Sequence, residues 1–227
     1  TPRYCLALSA TPYRSDGLDE VLYTYFSKNK IIKNLNKPHT VFKITTKFEP
    51  KIKLNYDGST DWSSVIESMC NNKDRNNLIV NIVQLFKDRN FLILSKRIDQ
   101  IDYLTQQLRE KGESVTSFKG SKQKYNCESR ILIATISKAG VGFDHPKMDA
   151  LILASDVEEY FIQYLGRVFR REDVHPLIFD IVDNFNSLRR HYYTRKKVYE
   201  SSGGKILKFS KENVKDYINE DEYNDYF

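Results

Sequence analysis

From Phe91 onward the chain repeats one unit, a short apolar run followed by a stretch of helical spacing, and this alternation constrains the fold more than any other feature. The runs 91–94, 114–118, 131–135, 150–154 and 177–182 have strand length, and apart from Asp180 and the Ser and Thr residues of 114–117 they are largely apolar in succession instead of at every second residue. Such a strand is buried on both faces. Between the runs, Ile98, Ile101, Leu104 and Leu108 share one helical stripe, and Tyr160, Phe161, Tyr164, Leu165 and Val168 share another. Strands alternating with helices predict an α/β domain with a mainly parallel sheet and helices on both faces.

Upstream, 17–26 has helical spacing and 39–48 reads as extended. The stretch 49–63, with Pro50, Asp57, Gly58 and Ser59, carries loop signals, and 75–86 returns to helical spacing. The apolar run 4–8 reads as a buried strand with no helix or cap before it, so we expect a chain that starts in mid-pattern. Near the end, 188–200 is a basic helix, 201–204 breaks it, and 216–227 is an acidic, tyrosine-rich tail that reads as a solvated helix end or a disordered stretch. The 227 residues are enough for one full core and part of another.

Composition excludes several classes. The three cysteines, Cys5, Cys70 and Cys127, are odd in number and far apart, which points to a reducing compartment and away from a disulfide framework. None of the four histidines stands at metal-ligand spacing to another ligand type, so no protein-only metal site is expected. No apolar run approaches the ~18 residues of a membrane span, and 1–12 lacks a signal-peptide layout. An intracellular, soluble protein is expected. A formal charge of +6 admits a polyanionic partner without selecting one.

The strongest local signal is Gln163-Tyr164-Leu165-Gly166-Arg167-Val168-Phe169-Arg170. On one helix, Gln163, Arg167 and Arg170 share a face at spacings of four and three. A guanidinium suits the spread charge of a phosphoryl group in transfer. An R-x-x-R pair on its own is also what the solvent face of any amphipathic helix carries. Earlier, the strand 131–135 runs into Ser137-Lys138-Ala139-Gly140-Val141-Gly142-Phe143-Asp144. Glycines there let backbone approach a phosphate or ribose, and a carboxylate beside them accepts ribose hydroxyls. A tight strand-to-helix turn capped by Asp144 is the plainer alternative. Ser9-Ala10-Thr11-Pro12 is, in isolation, ordinary turn chemistry. In the basic helix, Arg189, Arg190, His191, Arg195, Lys196 and Lys197 could track a phosphate backbone, with Tyr192 and Tyr193 stacking on bases, or form a solvated face with the tyrosines packed inward.

In order, S-A-T-P, the strand Phe91 to Lys96, A-T-x-x-x-x-G-x-G-x-D and Q-x-x-G-R-x-x-R resemble motifs III, IV, V and VI of the superfamily 2 helicases. The resemblance spans essentially the whole chain. Ala10 to Arg14 with Asp16-Gly17 is similar to the XPB-type branch and to helicases of phages and large DNA viruses, including the poxvirus transcript-release type.

The resemblance implies a RecA-like helicase C-terminal domain with a remnant of the first RecA-like lobe. The limits read 1–35 for the remnant, 36–74 for a connector, 75–200 for the second lobe and 201–227 for a tail. It implies Arg167 and Arg170 as fingers toward the γ-phosphate with Gln163 as their polar partner, and Gly140, Gly142 and Asp144 facing the nucleotide. Thr135, Ser95, Lys96, Gly120 and Ser121 would meet the nucleic-acid backbone, and Ser9 and Thr11 would couple hydrolysis to lobe movement. ATP and Mg²⁺ are the implied cofactors, held mainly by the first lobe. The sequence holds no G-x-x-x-x-G-K-[ST], since Gly203-Gly204-Lys205 precedes Ile206, and Asp19-Glu20 follows S-A-T-P in place of an upstream Asp-Glu box. We therefore expect this polypeptide by itself to leave ATP intact.

The expected partners are nucleic acid, DNA first and RNA second, and the first lobe. The expected activity is 3′ to 5′ translocation or unwinding. Two alternatives stay open: a duplex translocase or transcript-release factor that leaves strands paired, and a non-catalytic scaffold. A viral source, acting in the host cytoplasm and carried in the virion, and a role in transcription follow from the same resemblance.

Overall fold

The computed structural model describes residues 4–8, 19–29, 31, 35–121, 124–140, 145–158 and 161–218. The chain divides into two units, Thr1–Leu35 and Asn36–Phe227. In the first, helix α1 (Asp19–Phe26) ends where Ser27 takes a left-handed φ of 59° and donates its N–H to the Tyr23 carbonyl at 3.0 Å. Residues 4–8 form no strand, and Tyr4, Leu6 and Leu8 are exposed, contrary to the expectation of a buried strand. Apolar character makes a strand only where a neighbouring strand supplies the hydrogen-bond ladder.

The second unit is built on a seven-stranded, wholly parallel sheet. Its strands are β1 (His39–Thr45), β4 (Phe91–Ser95), β5 (Val115–Phe118), β6 (Ile131–Thr135), β7 (Ala150–Leu153), β8 (Leu177–Val182) and β9 (Gly204–Lys208), in the order β5-β6-β4-β7-β8-β1-β9. Every pair in it is parallel, with Ile93 opposite Ile133 and Ile152, and Phe42 opposite Phe179. Parallel strands need crossovers, which the helices supply.

Alternation sorts the sheet's side chains onto two faces. Phe42, Phe91, Ile93, Ile133, Ile152 and Phe179 pack against α3 (Lys73–Leu85), through Ile79, Ile82 and Val83, and α4 (Ile98–Glu110), through Ile101, Leu104 and Leu108. The other face lies under α5 (Ile136–Gly140), α6 (Phe161–Val168) and α7 (Asn186–Ser201). β4, β7 and β8 are buried residue by residue, because both faces are covered.

The stretch 49–63 is more ordered than its loop signals suggest. β2 (Lys53–Leu54) and β3 (Thr60–Asp61) form an antiparallel ribbon around a turn with Gly58 at φ 78°. α2 (Trp62–Asn71) follows, capped by Asp61, whose carboxylate accepts the Ser63 N–H at 2.9 Å. Its Val65, Ile66 and Met69 pack with Leu188, Phe48 and Phe185.

The lobe therefore exceeds the limits 75–200. The connector 36–74 supplies β1, which lies inside the sheet, and the tail from 201 supplies β9, its edge, followed by α8 (Lys211–Val214) and a 3₁₀ turn over Lys215–Tyr217. β9 escaped the sequence reading because edge strands need little apolar character. The acidic residues 219–227 lie outside the described residues.

Candidate functional site

Strands β4 and β6 end side by side, Ser95 opposite Thr135, so two of the five residues expected to meet nucleic acid are neighbours in register. Their side chains differ. Thr135 is half-buried and its hydroxyl accepts the Lys138 N–H at 3.4 Å, opening α5. Ser95 is fully buried and donates to Gln100 Oε1 at 2.7 Å. Gln100 Nε2 passes the chain of bonds to Asn76 at 2.8 Å, and Asn76 to the Cys70 carbonyl. The Ser95 hydroxyl thus holds α3 and α4 to the sheet and is not presented to a phosphate, correcting the expectation for that side chain. Lys96 is exposed at the same edge, its backbone N–H donated to Ser155 Oγ at 3.0 Å.

Gly140 closes helix α5 instead of lying in an open loop, and a Cβ on it would meet only the Tyr164 hydroxyl at 3.5 Å. Gly142 and Asp144, like Ser9 and Thr11, lie outside the described residues. Gly120 turns the chain after β5 with φ 57°, which favours glycine, and Ser121 beside it is exposed.

α6 carries Gln163 and Arg167, both half-exposed, while Tyr164, Leu165 and Val168 face the sheet. The Tyr164 hydroxyl donates to the Ile136 carbonyl at 3.0 Å, tying α6 to the β6–α5 junction, and burial pushes its pKa up. Arg170 is not on this helix: α6 ends at Val168, and Arg170 is exposed two residues beyond it. Only Gln163 and Arg167 of the three therefore lie on α6. Tyr125, whose hydroxyl pKa burial pushes up, has its ring 6.1 Å from His145 and 5.1 Å from Phe118. Lys138 Nζ lies 5.5 Å from the Phe118 ring.

The loop entering α6 is held from α7. Arg195, expected among phosphate-tracking cations, is buried: it donates to Asp180 at 2.9 and 2.8 Å, to Asp156 at 3.0 Å and to the Val157 carbonyl at 2.9 Å. Burial opposes its charge, yet the Asp180 carboxylate holds its pKa above the usual arginine value. The Tyr199 hydroxyl adds a 2.7 Å bond to Asp180, and His191 Nδ1 lies 2.7 Å from Asp156. Tyr192 is also buried, its hydroxyl pushed up to about 12 by burial, whereas Arg189, Arg190, Tyr193 and Lys197 form the outer face of α7. A second buried pair, Arg75 with Asp183 at 2.9 Å, ties α3 to the end of β8.

The sequence reading missed these pairs. One signal was available: Asp180 interrupts the apolar run 177–182, and a carboxylate there requires a buried partner.

For ATP with Mg²⁺, the arginine pair is chemically suited to phosphate oxygens. Among the described residues no group of three or more His, Cys, Asp or Glu side chains could hold a metal ion. None of the described helices is long and apolar enough to cross a membrane.

A wholly parallel sheet with helices on both faces, motif residues at adjoining strand ends and an arginine-bearing helix beside them define a RecA-like helicase C-terminal lobe. No protein-family model matches the chain. It is 41% identical over 229 residues to a protein named "Putative helicase 161L" of invertebrate iridescent virus 6, covering 92% of this chain and 52% of that protein. It is 32% identical over 212 residues to "Putative helicase 055L" of frog virus 3 (isolate Goorha), covering 91% and 48%. The chain thus spans about half the length of these relatives. In fold it is similar to S. cerevisiae Dbp5 bound to RNA and ADP BeF3 (TM-score 0.55, 13% identity, 90% of this chain and 51% of that one). It is also similar to the C-terminal domain of Dbp5 alone (TM-score 0.52, 13% identity, 77% and 91%). The chain is thus related in sequence to viral proteins named putative helicases, and its second unit has the fold of a RecA-like helicase C-terminal lobe.

Proposed function

We propose that the whole protein couples ATP hydrolysis to movement along DNA, or a DNA–RNA duplex, with strand separation, and that this lobe supplies the arginine fingers. The observation that carries the reading is the placement of Arg167 on α6 and Arg170 two residues beyond its end, the helix being tied to the Ile136 carbonyl through Tyr164 and the loop before it to Arg195 through the Val157 carbonyl. Phosphoryl transfer needs positioned positive charge more than covalent chemistry, so two guanidiniums on a fixed support are the expected contribution of a lobe without a phosphate-binding loop. Lys96 and Thr135, at adjoining strand ends, would meet the backbone of the track. Gly140, Gly142 and Asp144 would approach the nucleotide, Gly120 and Ser121 the nucleic acid, and Ser9 and Thr11 the coupling hinge. Bound ATP with Mg²⁺ would supply the transferable phosphoryl group and its counter-charge.

The test is Arg170→Ala in the full-length protein. Turnover should fall by about a thousand-fold or more while nucleic-acid binding stays within a few-fold of wild type. Wild-type turnover in that variant would remove Arg170 from the finger role.

A further inference from the structure

Arg170 belongs to neither a helix nor a strand, and what holds its segment comes from the start of the lobe. Lys37 Nζ donates to the Phe169 carbonyl at 3.2 Å and also to the Arg171 carbonyl, the residues on either side of Arg170. The His39 ring lies 4.7 Å from the Phe169 ring. Arg171 pairs with Asp149 at 3.4 Å and Asp173 at 2.6 Å. The backbone is therefore held on both sides of Arg170, at the carbonyls of residues 169 and 171.

Lys37 is itself held. Its N–H donates to the Ser202 carbonyl at 2.9 Å and its carbonyl bonds His39 Nδ1 at 2.7 Å. Gly203, at φ 87°, packs so closely that a Cβ there would lie 2.7 Å from Asn36 Oδ1 and 3.1 Å from the Lys37 carbonyl. An ammonium on an anchored backbone, bonded to two carbonyls, makes charge-assisted hydrogen bonds with little freedom left to lose. Lysine at the end of a helix commonly satisfies carbonyls that the helix leaves open. Here it spans 132 and 134 positions of sequence to do so, from the residues that open the lobe.

We propose that Lys37 is a positioning residue for Arg170, and that through it the segment entering the lobe governs where the finger stands. The proposal rests on the finger reading of Arg170. A displacement of residues 36–37 is passed to the carbonyls of 169 and 171 without going through the sheet, so the approach to the lobe and the phosphate-directed arginine move as one piece. The consequence is a turnover step sensitive to a residue that touches no substrate.

The experiment compares wild type, Lys37→Met, Lys37→Arg and Arg170→Ala in the full-length protein. Nucleic-acid-stimulated ATP turnover is measured against ATP concentration, and amide hydrogen exchange is followed in peptides spanning 169–173. Lys37→Met should lower kcat by about ten- to a hundred-fold with KM for ATP within about three-fold, as a small misplacement of a catalytic group does. It should also speed exchange at 169–173, with the rest of the lobe unchanged. Lys37→Arg, which keeps a cationic donor, should restore both. A kcat within about two-fold of wild type in Lys37→Met, or unchanged exchange at 169–173, overturns the proposal. Equal losses of kcat and of protection across the whole lobe also overturn it, because they mark a merely structural role. If the wild type turns over no ATP, the finger reading falls, and exchange alone decides whether Lys37 fixes the segment.

Discussion

Replacing Arg195 with methionine separates the two readings of the basic helix. Arg195 and Asp180 are 3% and 0% exposed, and the guanidinium makes four bonds, two to Asp180, one to Asp156 and one to the Val157 carbonyl. Methionine keeps much of the volume and removes all four, leaving the buried Asp180 with only the Tyr199 hydroxyl and the buried Asp156 with only His191 among these partners. Removing one partner of a buried pair costs about 3–5 kcal/mol, and a domain of this size loses roughly 2–4 °C of midpoint per kcal/mol. The expected drop is therefore about 6–20 °C, with a matching fall in the urea midpoint and an unchanged slope. Lys197→Met, on the outer face of the same helix, should stay within ~0.5 kcal/mol of wild type. Adding Asp180→Leu to Arg195→Met should recover part of the loss, since an apolar pair costs less than an orphaned carboxylate. A loss below ~1 kcal/mol in Arg195→Met, with a change in the salt dependence of nucleic-acid binding, would refute the buried-clamp argument and return Arg195 to a phosphate-tracking role.

Other outcomes follow from the same structure. Gly203→Ala should destabilise by about 1–3 kcal/mol, because φ 87° strains any Cβ and this one meets Asn36 and Lys37; denaturant unfolding reads it, and a neutral result would contradict the packing. His39, His145 and His175 all have pKa values lowered, chiefly by burial. The unfolded chain takes up protons near pH ~6.5 while the folded lobe does not, so stability should fall as pH drops from about 7.5 to 5.5; a thermal midpoint that rises over that window would reverse the sign. Ile93→Ala, at a fully buried site on a strand with neighbours on both sides, should cost about 2–5 kcal/mol without changing the unfolding slope.

The parallel sheet was legible because its inner strands are buried on both faces, and uninterrupted apolar runs such as Phe91 to Leu94 have few other uses. The strand β9 was not, since an edge strand with Lys205 and Lys208 carries no such pattern. The site divides in the same way. Local spacing put Gln163 and Arg167 on one helix, as α6 has them, but the position of Arg170 beyond the helix depends on where α6 stops. Ser95 ends its strand opposite Thr135, yet its hydroxyl is buried, because burial there is set by contacts with α3 and α4 that its local sequence does not reveal. Lys37 carried no signal at all: its partners lie more than 130 residues away.

Strand β1 opens the lobe in sequence and yet sits between β8 and β9, the last two strands to be made. During synthesis its fully buried Val41 and Phe42 must wait for residues 177–182 and then 204–208. Vectorial folding from the N-terminus is therefore closed to this lobe: the nascent chain carries an unpaired apolar strand until nearly the whole unit has left the ribosome. Any version ending near residue 200 would keep that defect permanently, with one side of β1 open to edge-to-edge aggregation.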